Sequence, residues 1–150
     1  MTSHSHCISD FTKDDIEPVY AIELASNQHP WSKKILASCI GGRYQSRQIR
    51  HNEQLCGFYV ADVVIDEMTL MEICIHPDAQ GQGLGQRLLD DLLHIAKHKQ
   101  IKTIHLEVRA SNLAAHMLYI KNGFIETHRR TGYYPCATGY EDAIVMQRRL

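Results

Sequence analysis

One stretch constrains the fold more than any other: His76-Pro77-Asp78-Ala79-Gln80-Gly81-Gln82-Gly83-Leu84-Gly85. An apolar run ending at Ile75 precedes it. After it, Leu84, Leu88, Leu89, Leu92, Leu93 and Ala96 recur at helical intervals as far as His98, which predicts an amphipathic helix packed on a sheet. A strand that passes through a glycine-rich turn into a helix makes an anion-binding corner. Glycine lets backbone N–H groups approach a ligand, and the helix end adds about half a positive charge. Spacing narrows the choice of anion. Gly81-x-Gly83 is followed by Gln86 where a dinucleotide-binding turn has its third glycine, and no Gly-Lys-Ser/Thr follows as a nucleotide-triphosphate loop requires.

The rest of the chain supplies the sheet. Thr12-Lys13-Asp14-Asp15 has the pattern of a helix cap, and Ile16, Val19, Tyr20, Ile22, Glu23 and Leu24 follow at roughly helical spacing to Ser26-Asn27. Ser32, after Pro30-Trp31, begins a second, short helix through Ile35, Leu36, Cys39 and Ile40 that Gly41-Gly42 ends. Residues 44–51, 54–65 and 68–75 are rich in β-branched and aromatic side chains and are punctuated by Asn52-Glu53 and Asp66-Glu67. They read as three antiparallel strands joined by tight turns. Residues 103–108 read as a strand, 112–122 as a helix closed by Gly123, and 124–133 and 140–147 as two further strands. The order β-α-α-β-β-β-α-β-α-β-β predicts an α/β (α+β) domain: a mixed, mostly antiparallel central sheet of about seven strands with four helices on its faces. No repeat, low-complexity tract or Pro/Ser linker divides the sequence, so residues 1–150 read as one domain with residues 1–6 frayed.

Composition removes several functions. At 150 residues, 44% of them hydrophobic, the chain is long enough to bury a core without a metal or a disulfide. Its 16 Lys+Arg stand against 17 Asp+Glu, a net charge of -1, so bulk charge does not draw it to nucleic acid or anionic lipid, and no direct nucleic-acid binding is expected. No apolar run exceeds four residues, which leaves no membrane span and no signal-peptide core and makes the cytoplasm the expected compartment. Cys7, Cys39, Cys56, Cys74 and Cys136 are odd in number and contain no C-x-x-C pair, against a disulfide framework or a zinc ribbon. The ten histidines are scattered from His4 to His128. His94 and His98 share a helix face but have no third ligand nearby, so they read as solvated surface groups and no metal site is expected.

What does fit the turn is Gln80-x-x-Gly83-x-Gly85. With it the sequence resembles the GCN5-related N-acetyltransferase (GNAT) superfamily, whose pyrophosphate loop reads Q/R-x-x-G-x-G/A. Four further elements match in order: Ile73-Cys74-Ile75-His76-Pro77, the leucine-rich helix, Leu106-Glu107-Val108-Arg109-Ala110-Ser111-Asn112, and Leu118-Tyr119 with Asn122-Gly123-Phe124. Pro30-Trp31-Ser32, Arg129-Arg130, Tyr133-Tyr134-Pro135 and Glu141-Asp142-Ala143 are similar to the bacterial RimI branch, which acetylates the N-terminal alanine of a small-subunit ribosomal protein. The match runs from about residue 10 to residue 147. Gly81 and Gln86 stand where that branch commonly has a basic residue, which removes cationic help at the pyrophosphate and leaves the backbone cradle and Arg87. The resemblance implies a GNAT fold, acetyl-CoA as acetyl donor and no metal. It assigns the donor to Ile73, Cys74, Ile75, Gln80, Gly81, Gln82, Gly83, Leu84, Gly85, Gln86 and Asn112.

Acetyl transfer needs a neutral amine, a polarised thioester carbonyl and a proton for the departing thiolate. An α-amino group has a pKa near ~8, so most of it is protonated at neutral pH and a base speeds the reaction. Strand alternation over residues 103–108 puts Thr103, His105 and Glu107 on one face and Ile104, Leu106 and Val108 on the other. A carboxylate at 107 can accept a proton directly or through water. The resemblance implies that Glu107 is the general base, while a strand-end ion pair with Arg109 is the alternative. Tyr119 is implied as general acid, and core packing is its alternative. The Ile75 N–H is the natural donor to the carbonyl oxygen, and Asn112 suits either a helix cap or a cofactor contact. Trp31, Tyr133, Tyr134, Glu141 and Asp142 are candidates for the acceptor, since the N-terminus of a basic ribosomal protein suits aromatic walls and carboxylates. Tyr133-Tyr134-Pro135 equally fits a strand end and turn. The reading is direct transfer of acetyl to an N-terminal alanine by a monomer or weak homo-oligomer. Its alternatives are acetylation of a lysine side chain or small-molecule amine, and a non-catalytic acyl-CoA-binding module.

Overall fold

The computed structural model describes residues 5–150. Its strands are β1 (His6–Asp10), β2 (Tyr44–His51), β3 (Gln54–Val64), β4 (Glu67–Ile75), β5 (Thr103–Arg109), β6 (Ile125–Cys136) and β7 (Gly139–Arg149). The helices are α1 (Ile16–Ser26), α2 (Lys33–Ser38), α3 (Leu84–His98) and α4 (Leu113–Lys121). One seven-stranded sheet runs in the order β1-β2-β3-β4-β5-β7-β6. Every neighbouring pair is antiparallel except β4 and β5, and α3 makes the crossover that a parallel pair requires. This is the mixed sheet with four helices that the sequence predicts.

Local chemistry sets the element ends. The Asp14 N–H donates to Thr12 Oγ1 at 3.3 Å while the Thr12 N–H donates to Asp15 Oδ2 at 2.8 Å, a capping box that leads through one 3₁₀ turn into α1. Ser32 caps α2, its Oγ accepting from the Ile35 N–H at 3.1 Å. Asn52 and Glu53 both take positive φ, 50° and 72°, as a two-residue hairpin turn demands. The next turn falls at Ile65-Asp66, one residue before the predicted Asp66-Glu67. Ile65 occupies the left-handed position with φ 58° and lies 90% exposed. Residues 1–4, the bulk of the stretch expected to fray, lie outside the described residues, and His6 already opens β1. β6 and β7 run beyond their predicted ends because they pair with each other to the turn at Ala137-Thr138.

The sheet separates two apolar clusters. On one face α3 and α4 cover Met68, Leu70, Ile104 and Leu106 with Leu88, Leu89, Leu92 and Tyr119. On the other, α1 and α2 cover Phe58, Val60 and Cys74 with Val19, Ile22 and Leu36. Burial of each such Leu or Ile contributes on the order of 1.5–3 kcal/mol.

Two backbone features open the site. β4 and β5 pair only from Glu67↔Thr103 to Leu70↔Leu106, after which they part, although β4 keeps β3 and β5 keeps β7 along their outer edges. Val60 pairs with Glu72 but Ala61 with Leu70, so Met71 is an extra residue, a β-bulge that swaps the phase of β4. Met68 and Leu70 face α3; beyond the bulge that face passes to Ile73 and Ile75, while Cys74 packs toward α1. Gly57 lets β3 lie close to this segment, for a Cβ there would come within 2.7 Å of the Cys74 carbonyl oxygen.

Candidate active site

The parted strands enclose a cleft of about 1360 Å³. At its β4 end a 3₁₀ turn, Pro77–Ala79, leads into the glycine loop. The Gln80 side-chain amide donates to the Ile75 carbonyl at 3.1 Å, which fastens the loop to the strand. Gly83, with φ 77°, is the N-cap of α3 and offers no side chain to it. The first helical bond is Arg87 N–H to Gly83 carbonyl, 3.1 Å. The N–H groups of Leu84, Gly85 and Gln86 therefore have no intrahelical acceptor and are available to an anion. The His76 N–H donates to the Cys56 carbonyl at 2.8 Å. Because antiparallel backbone groups alternate in direction, the Ile75 N–H points away from β3, toward the side that β5 has left.

Ile73, Cys74, Ile75, Gln80, Gly81, Gly83, Leu84, Gly85 and Asn112 all line this cleft. Gln82 instead borders a smaller cavity of about 290 Å³ with His6, His51 and His76. Gln86 turns to the far side of α3, where its amide donates to Asn122 Oδ1 at 2.8 Å and to Asp90 Oδ1 at 2.8 Å. It ties α3 to the end of α4. The Cys74 thiol lies in the α1-side core, 3.6 Å from Glu23 Oε1, and burial raises its pKa. Asn112 caps α4, accepting from the Ala115 N–H at 3.2 Å. His94 and His98 are exposed on α3.

Glu107 and Tyr119 line the same cleft. Glu107 makes the strand-end ion pair, but with Arg130, whose Nη1 lies 2.7 Å from Oε1. Arg109 pairs with Glu141 at 3.5 Å and donates to the Pro135 carbonyl at 2.7 Å. Tyr119 is 4% exposed, its ring 5.8 Å from that of Phe124. Burial raises the pKa of its hydroxyl, and the charge of Glu72 adds to the rise.

The candidate acceptor residues fall into two groups. Trp31, Tyr133, Tyr134 and Glu141 line the cleft, with Arg130 stacked 3.9 Å over the Tyr133 ring and Arg109 4.4 Å over Tyr134. Burial, then Glu107, pushes the Tyr134 hydroxyl to about 12. Glu141 accepts from the Ser111 N–H at 2.9 Å, which holds its carboxyl below the usual range. Asp142 lies outside the lining. It accepts from the Gly132 N–H at 3.0 Å and so pins an irregular stretch of β6.

Three residues of this site were not singled out from the sequence. Glu72 also lines the cleft, and Asn27 Nδ2 donates to it at 3.1 Å and to Glu23 at 3.0 Å. Burial, then the adjoining Glu23 carboxylate, pushes Glu72 to about 8. The available signal was a lone carboxylate within the apolar run from Leu70 to Ile75, and another at Glu23 within the apolar stripe of α1.

A sheet parted between its parallel strands, with free helix N–H groups at one strand end and a carboxylate and a tyrosine in the gap, makes a cleft that suits a phosphate-bearing ligand. Residues 9–124 match the acetyltransferase (GNAT) family, and the chain belongs to it. It is 43% identical over 139 residues to the ribosomal protein bS18-alanine N-acetyltransferase of Escherichia coli strain K12, covering 93% of this chain and 94% of that one. The enzyme of the same name from Haemophilus influenzae is 41% identical over 140 residues, covering 93% and 95%. The crystal structure of the Escherichia coli ribosomal-protein-S18-alanine N-acetyltransferase superposes with a TM-score of 0.94 at 41% identity, covering 97% of this chain and 94% of that one. A GNAT acetyltransferase from Elizabethkingia anophelis with acetyl-CoA bound shares the fold, with a TM-score of 0.81 at 24% identity over 98% and 99% of the two chains.

Proposed function

We propose that this protein is a cytoplasmic N-terminal acetyltransferase that moves acetyl from acetyl-CoA to the N-terminal alanine of a small-subunit ribosomal protein. The observation that carries the reading is the match to the Escherichia coli bS18-alanine enzyme, 41% identical with a TM-score of 0.94 across 97% of the chain. The residues present suit the donor. Gly81 and Gly83 hold positive φ with nothing within 4 Å of either Cβ position, so the loop offers backbone N–H groups with no side chain between them and a pyrophosphate.

When bound, acetyl-CoA supplies the activated acetyl thioester. The Gln80–Gly85 loop and the α3 N-terminus would hold its phosphates, and the Ile75 N–H would serve as donor to the thioester carbonyl oxygen. Glu107 accepts the amine proton, directly or through water, and Tyr119 supplies a proton for the thiolate. Transfer is direct: the Cys74 thiol is buried in the core and its raised pKa keeps it protonated, so it does not serve as an acyl carrier. Trp31, Tyr133, Tyr134 and Glu141 form the acceptor wall.

The test is mass spectrometry after incubation with acetyl-CoA and a peptide carrying the alanine start of the ribosomal protein. One acetyl group is expected on the free peptide and none on a copy with its amine already blocked. Absence of acetylation on the free peptide, or faster turnover of a lysine peptide or a polyamine, overturns the assignment.

A further inference from the structure

Glu23 of α1 and Glu72 of β4 meet at the β4 wall, and neither is paired with a cationic side chain among the described residues. Glu23, 0% exposed, accepts from Asn27 Nδ2 at 3.0 Å and from the Trp31 backbone N–H at 3.0 Å. Glu72 accepts from the same Asn27 amide at 3.1 Å. Ligand atoms of Glu23, Glu72 and Cys74 all lie within 4.8 Å of one another. The side chains in hydrogen-bond or charge contact with the pair or with the Cys74 thiol beside it are those of Ser26 and Asn27, with Tyr119 from α4 and Tyr134 from β6. None of these is a cation, and no ion pair among the described residues includes Glu23 or Glu72. The arginines of the other wall are engaged: Arg109, which lines the cleft, with Glu141, and Arg130 with Glu107.

A buried carboxylate without a counter-cation costs on the order of several kcal/mol. This one is retained where it lines the cleft and where its charge is felt at both Tyr119 and Tyr134. Two adjoining carboxylates that share one proton carry a single negative charge. Its complement is one cation, and the reaction delivers one, because an acceptor amine with a pKa near ~8 arrives mostly protonated.

We propose that Glu72, coupled to Glu23 through Asn27, is the anchor that receives the acceptor's protonated amine. The proposal rests on the reading that an amine is acetylated in this cleft. An ammonium against a pair that holds one proton leaves the loaded site neutral, so docking removes the cost of the buried charge. The anchor sits on the wall opposite Glu107, which takes the proton. Holding the amine and deprotonating it are thereby divided between the two strands, and a primary amine is favoured over a hydroxyl acceptor, which brings no charge.

The test is steady-state kinetics on the parent and on Glu72→Gln, using whichever amine the parent turns over fastest among an alanine-start peptide, a lysine peptide and spermidine. With glutamine at 72 the pair's single negative charge stays on Glu23, which is 0% exposed and does not line the cleft, and can no longer pass to the carboxylate that does, so the amine KM is expected to rise by about tenfold or more. kcat is expected to stay within about threefold and the acetyl-CoA KM within about twofold. Glu72→Asp, which keeps the charge at shorter reach, is expected to fall between the two. An unchanged amine KM in Glu72→Gln, or a loss confined to kcat, overturns the anchor. If Glu72→Gln no longer binds acetyl-CoA, Glu72→Asp decides: an amine KM raised by about threefold supports the anchor and an unchanged one overturns it. A parent that prefers the lysine peptide or spermidine overturns the alanine reading while the anchor is still measured on that amine. A parent that acetylates none of the three overturns both.

Discussion

Glu72 on β4 and Glu107 on β5 lie on facing walls of one cleft, yet the fold treats them in opposite ways. β4 is backed by the α1 layer, and the bulge at Met71 turns Glu72 toward that layer, where the nearest charge is another carboxylate. β5 is backed through β7 by the long strand β6, which brings Arg130 to within 2.7 Å of Glu107. The Glu107 side chain is 30% exposed and that of Arg130 45%, and such a pair contributes only about 0–1 kcal/mol. One wall thus holds an unbalanced charge under the surface, and the other holds a neutralised charge at the surface. The difference comes from what lies behind each strand, since the two residues are chemically identical.

Tyr119 of α4 lines the same cleft, and removal of its hydroxyl should have the largest effect. Tyr119→Phe keeps the ring against Phe124 and loses the hydroxyl, so kcat should fall by about 100-fold or more while the thermal midpoint stays within about 2 °C. An unchanged kcat removes Tyr119 from the proton path. Glu107→Gln should lower kcat by about 10–100-fold and leave the amine KM nearly unchanged. A rise in KM of the kind assigned to Glu72 would erase the contrast between the walls.

The third test loosens one wall alone. Gly57→Ala pushes a methyl into the Cys74 carbonyl, 2.7 Å from the Cβ position, and should cost about 1–3 kcal/mol in denaturant unfolding. The smallest effect concerns pH. Glu72 is raised in the folded protein from its ordinary 4.5 to about 8, so folding favours its protonated form. Its contribution to stability is present in full below its ordinary pKa and is lost as pH rises through about 8. Glu72→Gln does not ionise. Melting curves should therefore place it above the parent near pH 9, with a much smaller difference near pH 5. A gain that is the same at both pH values contradicts the raised carboxyl.

Much of this arrangement was legible in the sequence because it follows from local periodicity. The leucine stripe of α3, the glycine loop and the hairpin at Asn52-Glu53 each need only neighbouring residues to define them. Gln82 and Gln86 fall within the loop motif, but the turn and the helix direct them elsewhere, and a spacing rule carries no direction. Glu107 was read with Arg109, two residues away. Its partner Arg130 depends on how β6 registers on β7, which shifts twice, between Glu126 and His128 and between Arg130 and Tyr134, and an irregular register cannot be counted from the chain. Glu72 was hidden by the bulge at Met71. Simple alternation from Met68 and Leu70 puts Glu72 on the α3 face, and one extra residue moves it to the other side of the sheet.

The central claim, that the β4 wall holds two carboxyls sharing one proton and so one negative charge poised to meet a cation, is tested most directly by carboxyl-carbon NMR of protein labelled at glutamate Cδ and titrated across neutral pH. The account predicts one glutamate signal with a midpoint near 8, absent from Glu72→Gln and moved downward when CoA and an acceptor amine are added. Completion of every glutamate titration in the parent below about pH 6 would contradict it.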